Sequence, residues 1–196
     1  RPGVVDMFVN EAAVPVKDIP KQLLTPRSAI ARVKGHHDEY AQLPPIYRAN
    51  DKFNVLTVKH IGWSMVQHFD DKVLTKRVFD TFMEGIKSGS HYSYGRDDKD
   101  KGSQFHRFDK SLWDSASVFK AMQNHFIAPE FKSVPEGLLN KEITALILAR
   151  TPDEIAHAPA DMIDDKSLGE AVESNSDLLT KLHPDPLTDE VCFMAL

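Results

Sequence analysis

Leu74-Thr-Lys-Arg-Val-Phe-Asp-Thr-Phe-Met-Glu-Gly-Ile-Lys-Ser-Gly89 is the stretch on which the fold class turns. Leu74, Val78, Phe82 and Ile86 recur every four residues, and Phe79 and Met83 widen the same face. That spacing predicts one amphipathic helix with a broad apolar stripe. Gly89 stands where a C-cap is expected, and Asp70, Asp71 or Thr75 supplies a side-chain oxygen for the N-cap.

The same period recurs on both sides. Val55, Val58, Ile61, Met65 and Phe69 keep helical spacing from Asn54 onward, although their β-branched content also suits a strand. A third helix is expected from Asp109, as N-cap, through Leu112, Trp113, Ala116, Phe119 and Met122. Asn140 caps a fourth, in which Ile143, Leu146 and Ile147 face inward and Pro152 lies beyond the end. Shorter helical pieces are expected near Ala160 and from Ser176 to Leu182. The prediction is an all-α fold, a single compact helical domain over 1–196. It has an irregular, proline-rich N-terminal wrap (1–50), a long polar loop between two core helices, and a C-terminal tail (184–196). Prolines 2, 15, 20, 26, 44 and 45 limit the first fifty residues to short turns, because each fixes φ and removes a donor.

Bulk properties exclude several function classes. At 196 residues, 41% hydrophobic and 27% charged, the chain has globular composition and builds a core without metals or disulfides. A net charge of -5 with interleaved bases, as in Asp97 to Lys101, argues against nucleic acid as a partner. The longest apolar run, Ala145–Ala149, is far short of a membrane span. One cysteine, Cys192, forms no internal disulfide and has no activating base near it in sequence. The chain opens at Arg1 rather than Met, which points to a longer parent and leaves localisation open. No Gly-rich phosphate loop, nucleophile elbow or zinc-protease helix is present.

The chemistry-bearing stretch is Ser88–Asp114, with His91, Tyr92, Ser93, Tyr94, Arg96, Asp97, Asp98, Asp100 and His106. Polar loops framed by rigid helices are where functional groups gather, though many are only solvated. One reading is acid–base chemistry: His91 titrates near neutrality, and Arg96 and Asp98 orient it or hold an anionic intermediate. Another is a cation site on Asp98, Asp100 and Asp109, which imitates a calcium loop with Gly102 one position early and Asp in place of the final Glu. Elsewhere, His36-His37-Asp38-Glu39 is read as a solvated loop in preference to a metal cluster. His60 and His68 lie eight apart on the expected helix, with His60 the candidate haem ligand. Trp63, Phe69, Phe79, Phe82, Trp113 and Phe119 are assigned to the core.

His91-Tyr-Ser93-Tyr-Gly-Arg96-Asp-Asp98, then Gly102 and Phe108-Asp-Lys-Ser111-Leu-Trp113, resembles the acidic-loop signature of the haem-thiolate peroxidases (chloroperoxidases and unspecific peroxygenases). Pro2-Gly3, Asn10 and Pro15 are similar to that family's Pro-Gly opening. The resemblance implies a helical fold with an apolar pocket. Its haem cysteine, however, aligns with Arg1, which cannot supply the thiolate that favours O–O cleavage. The glutamate of its magnesium motif aligns with Gly89. The resemblance therefore implies a scaffold turned to binding or reshaping a small apolar molecule, as in secondary metabolism, with non-redox acid–base chemistry of lyase, cyclase or isomerase type at His91, Arg96 and Asp98. Haem with a histidine ligand is the alternative cofactor reading, magnesium or calcium the alternative metals. A non-catalytic interaction or effector protein is the third.

Overall fold

The computed structural model describes residues 14–20, 22–87, 101–163 and 165–180. Among them there is no strand, and the all-α class holds. No helix is long and apolar enough to cross a membrane. The chain divides into two compact units, Arg1–Leu112 and Trp113–Leu196. Chain length gave no reason to place a division here.

In the first unit, α1 spans Pro26–Gly35, α2 Pro45–Arg48, α3 Asp51–Ile61, α4 Lys76–Lys87 and α5 Lys101–His106, joined by short 3-10 turns. The described part of the proline-rich segment thus carries more helix than expected. Pro26 and Pro45 open helices instead of breaking them, because the first helical residue has no N–H partner to lose. Thr25 and Ser28 close a capping box around the start of α1. Asn50 caps α3 by accepting the Phe53 N–H at 3.1 Å.

Helix α3 differs from its expected span. It starts at Asp51 and stops at Ile61, because Gly62 sits at φ 116°, where a helix cannot continue. A 3-10 turn, Trp63–His68, carries the chain on, so Met65 and Phe69 are buried from a different element. The α4 expectation holds: Val78, Phe79, Phe82, Met83 and Ile86 are buried. Of its three cap candidates, Thr75 accepts the Val78 N–H, while Asp71 pairs with Arg107.

The far end of the expected long loop is helical, since α5 occupies 101–106, while 88–100 lies outside the described residues. Phe105 and Phe108, fully buried, reach α4 and meet the Phe79 ring edge-on at 6.0 and 5.1 Å. These two aromatics in a polar stretch provide the burial that holds a helix too short to stand alone. Tyr40 ties α3 to the preceding turns: its hydroxyl donates to Asn54 Oδ1 at 2.8 Å, and Asn54 Nδ2 donates to the Arg48 carbonyl at 3.0 Å.

In the second unit, α6 spans Ser115–Gln123, α7 Lys141–Arg150 and α8 Asp165–Ser174. The expected third helix begins five residues late. Asp114, not Asp109, is its N-cap and forms a capping box with Ser117. Phe119 is only half-buried on it, whereas Trp113 is buried. Asn140 caps α7 as expected, through the Ile143 N–H at 2.9 Å, and Pro152 opens the 3-10 turn after it. Helix α8 was not anticipated. Leu168, Ala171 and Val172 pack with Leu148 and Leu178 into an apolar cluster. Around Ala160 and Ser176 the chain forms 3-10 turns, Ala160–Met162 and Ser176–Thr180.

Candidate functional site

The outer face of α1 and the flank of α3 enclose a surface groove of about 500 Å3. Helix α1 turns Ser28, Ala29, Arg32 and Val33 into the core. The residues left over, Arg27, Ile30, Ala31 and Lys34, follow the i, i+3, i+4, i+7 rule and share the opposite face. From α3, Leu56 and His60 line the other wall, one turn apart, and Pro26 closes the upper end of α1.

The groove is apolar along its floor and cationic at its margins. Ile30 and Ala31 are half-buried, and Leu56 remains 39% exposed, a large apolar side chain held open to solvent. The large exposed apolar side chains among the described residues, Val14, Leu23, Ile46 and Leu56, all belong to the first unit. Arg27, Lys34 and His60 are exposed. Among the described residues neither Arg27 nor Lys34 has an acidic partner, while Arg32, Arg48, Arg77 and Arg107 each do. Lys52 and Lys59, also exposed on α3, add to the positive field. The nearby acid on that helix, Asp51, is already engaged by Thr75 at 2.5 Å and Arg77 at 2.8 Å. In a chain of net charge -5, this face is a local basic surface. An apolar strip bordered by cations suits an organic anion with an apolar body.

The sequence-predicted residues distribute differently. His91, Arg96, Asp98 and Asp100 lie outside the described residues, as does Cys192. Asp109 is exposed; its Oδ1 accepts the Ser111 N–H at 2.8 Å, and that bond holds its carboxyl below the usual carboxylate range. Gly102 lies inside α5, where a calcium loop requires a sharp turn, so the described part of that stretch is helical. Among the described residues no three His, Cys, Asp or Glu side chains gather as metal ligands.

His36-His37-Asp38-Glu39 diverges, as adjacent residues tend to. Glu39 turns inward to Arg32 at 2.6 Å, and His37 meets the His68 ring edge-on at 6.0 Å. His60 and His68 fall on separate elements, and only His60 faces the groove. Trp63, Phe69, Phe79 and Phe82 are core, as expected.

Sequence reasoning missed Arg27, Lys34 and Leu56. The signal was present: Thr25-Pro26 opens a helix, and 27, 30, 31 and 34 then share a face. Treating the first fifty residues as irregular left that face undrawn. Comparison with family models, with curated proteins and with solved structures finds no match to this chain.

Proposed function

We propose that this protein binds a small organic anion with an apolar body in the groove between α1 and α3. The observation that carries the reading is that Arg27 and Lys34, which have no acidic partner among the described residues, flank the apolar strip of Ile30, Ala31 and Leu56. A volume of about 500 Å3 lies within the range of ligand pockets. Burying the apolar body supplies affinity, and the cations select the anion. The test is a titration with octanoate followed by backbone amide shifts. The expected result is saturable shifts confined to residues 26–34 and 56–60, abolished by Leu56→Asp. Shifts elsewhere, or none up to millimolar octanoate, would sink the proposal.

His60 on the groove wall favours a second reading, haem as the bound molecule. The residues fit a porphyrin in kind: an imidazole to ligate iron, cations to meet carboxylates and an apolar wall. Bound haem would supply redox chemistry, with the His60 imidazole as the ligand the groove offers. A stoichiometric Soret band that His60→Ala removes would support it. A flat visible spectrum on haem addition would discard it.

A further inference from the structure

We infer that the ligand of this groove is a dianion, carrying an acid group at each end of its apolar body; the inference rests on the reading above. Arg27 stands in the first turn of α1 and Lys34 in the last, seven residues apart on one face. At the helical rise this separates them by about 10 Å along the axis. Ile30 and Ala31 occupy the turn between them, and Leu56 faces the same stretch from α3. The groove therefore presents two cations without acidic partners among the described residues, with an apolar middle. A molecule with one acid group satisfies a single end and leaves the other cation solvated.

The two ends differ in strength. Positive helix potential at the N-terminus of α1 adds to Arg27, while negative potential at the C-terminus offsets Lys34. Arg27 also presents a planar fork that matches a carboxylate in two bonds, where Lys34 offers a point charge. A mono-acid consequently seats its head at Arg27 and lays its tail toward Lys34. Lys34 reads the second acid.

Calorimetric titration of the full chain with octanoate and octanedioate, chains of equal carbon number, tests this. Arg27 and Lys34 are exposed, so Arg27→Ala and Lys34→Ala leave the core untouched, which circular dichroism verifies. Octanedioate is expected to bind roughly fivefold tighter than octanoate. Lys34→Ala is expected to weaken octanedioate more than octanoate and so to remove that advantage; Arg27→Ala weakens both to a similar extent. Equal affinities for the two acids, or an advantage that survives Lys34→Ala, overturn the dianion inference while the groove reading stands. Failure of octanoate to bind at all overturns the groove reading and the inference with it. Binding of a helical peptide bearing glutamates seven apart, with neither free acid bound, overturns it in favour of a protein partner.

Discussion

Arg32 and Glu39 form a buried, two-pronged ion pair: Arg32 Nη2 lies 2.6 Å from Glu39 Oε1 and Nε donates to Oε2 at 2.9 Å. Glu39 Oε2 also accepts the Val16 N–H at 3.0 Å, so one carboxylate joins α1, the turn that follows it and the start of the described chain. Both side chains are 9% exposed. The pair fixes the core side of α1, and with it which residues of that helix are left to form the groove.

Removing one partner leaves the other buried without compensation. Glu39→Ala strands the Arg32 guanidinium and the Val16 N–H together, and is expected to cost about 3 kcal/mol. Replacing both with apolar residues of similar volume, as in Arg32→Met with Glu39→Leu, is expected to recover most of that loss. Urea unfolding of the single and double variants at pH 7 measures both. A single variant as stable as wild type would show that water reaches the pair.

The same pair sets a pH dependence. The hydrogen bond from Arg32 holds the Glu39 carboxyl below its ordinary value of 4.5, with the Val16 N–H acting in the same direction. A group depressed in the folded state stabilises it above its unfolded pKa, and that stability is lost as pH falls through the folded value. The stability gap between wild type and Glu39→Gln is therefore expected to be constant near neutrality and to narrow below pH 4.5. Urea midpoints taken from pH 7 to pH 3 would read it directly; a gap that widens on acidification contradicts the assignment.

Gly62 ends α3 at φ 116° and ψ -179°, a region open in practice only to glycine. A Cβ built there meets nothing within 4 Å, so a substitution is penalised by backbone conformation and not by a clash. Gly62→Ala is expected to lose about 2 kcal/mol, and Gly62→Val no less, despite the open space. Thermal unfolding of the two variants separates these causes: a loss that grows steeply with side-chain volume would point to crowding instead.

Helix α6 ends the opposite way, with a side chain where glycine is preferred. His125 adopts φ 63°, and the Phe126 N–H reaches back to the Ala121 carbonyl at 2.8 Å, as in a Schellman cap. The imidazole is exposed and the left-handed conformation costs it energy that glycine is spared. His125→Gly is expected to stabilise the chain by about 1 kcal/mol, with Arg150 still donating to the Met122 carbonyl at 2.7 Å. A shift of the urea midpoint to higher concentration, at unchanged slope, is the signature.

What the sequence made legible follows from where one physical signal dominates. In α4 every fourth residue is apolar and each is buried, so period alone suffices. In α3 the apolar period runs on past Ile61, while Gly62 breaks the backbone; pattern describes burial, and a single φ angle decides the element. Near Asp109 two acids, Asp109 and Asp114, both qualify as caps. Only Asp114 has Ser117 three residues on to return the bond, a rule the sequence did contain. The groove was harder to foresee, because Arg27 and Lys34 look like ordinary solvated charges until the partners of Arg32, Arg48, Arg77 and Arg107 are known. Whether a cation has an acidic partner among the described residues is a property of the fold, and spacing does not disclose it.

Charge at the groove makes ligand binding sensitive to salt. Arg27 and Lys34 are exposed, so their attraction for a carboxylate is screened as the Debye length falls from about 30 Å at 0.01 M salt to about 8 Å at 0.15 M. Burial of the apolar body against Ile30, Ala31 and Leu56 carries no such dependence. Octanoate affinity is therefore expected to fall severalfold across that range in wild type and to stay flat in the Arg27→Ala, Lys34→Ala double variant. Octan-1-ol, which keeps the chain without the charge, should bind both proteins equally at either salt concentration. If instead octanoate lost affinity with salt in the double variant as well, the anion would be held by other cations, with Lys52 and Lys59 on α3 the next to substitute.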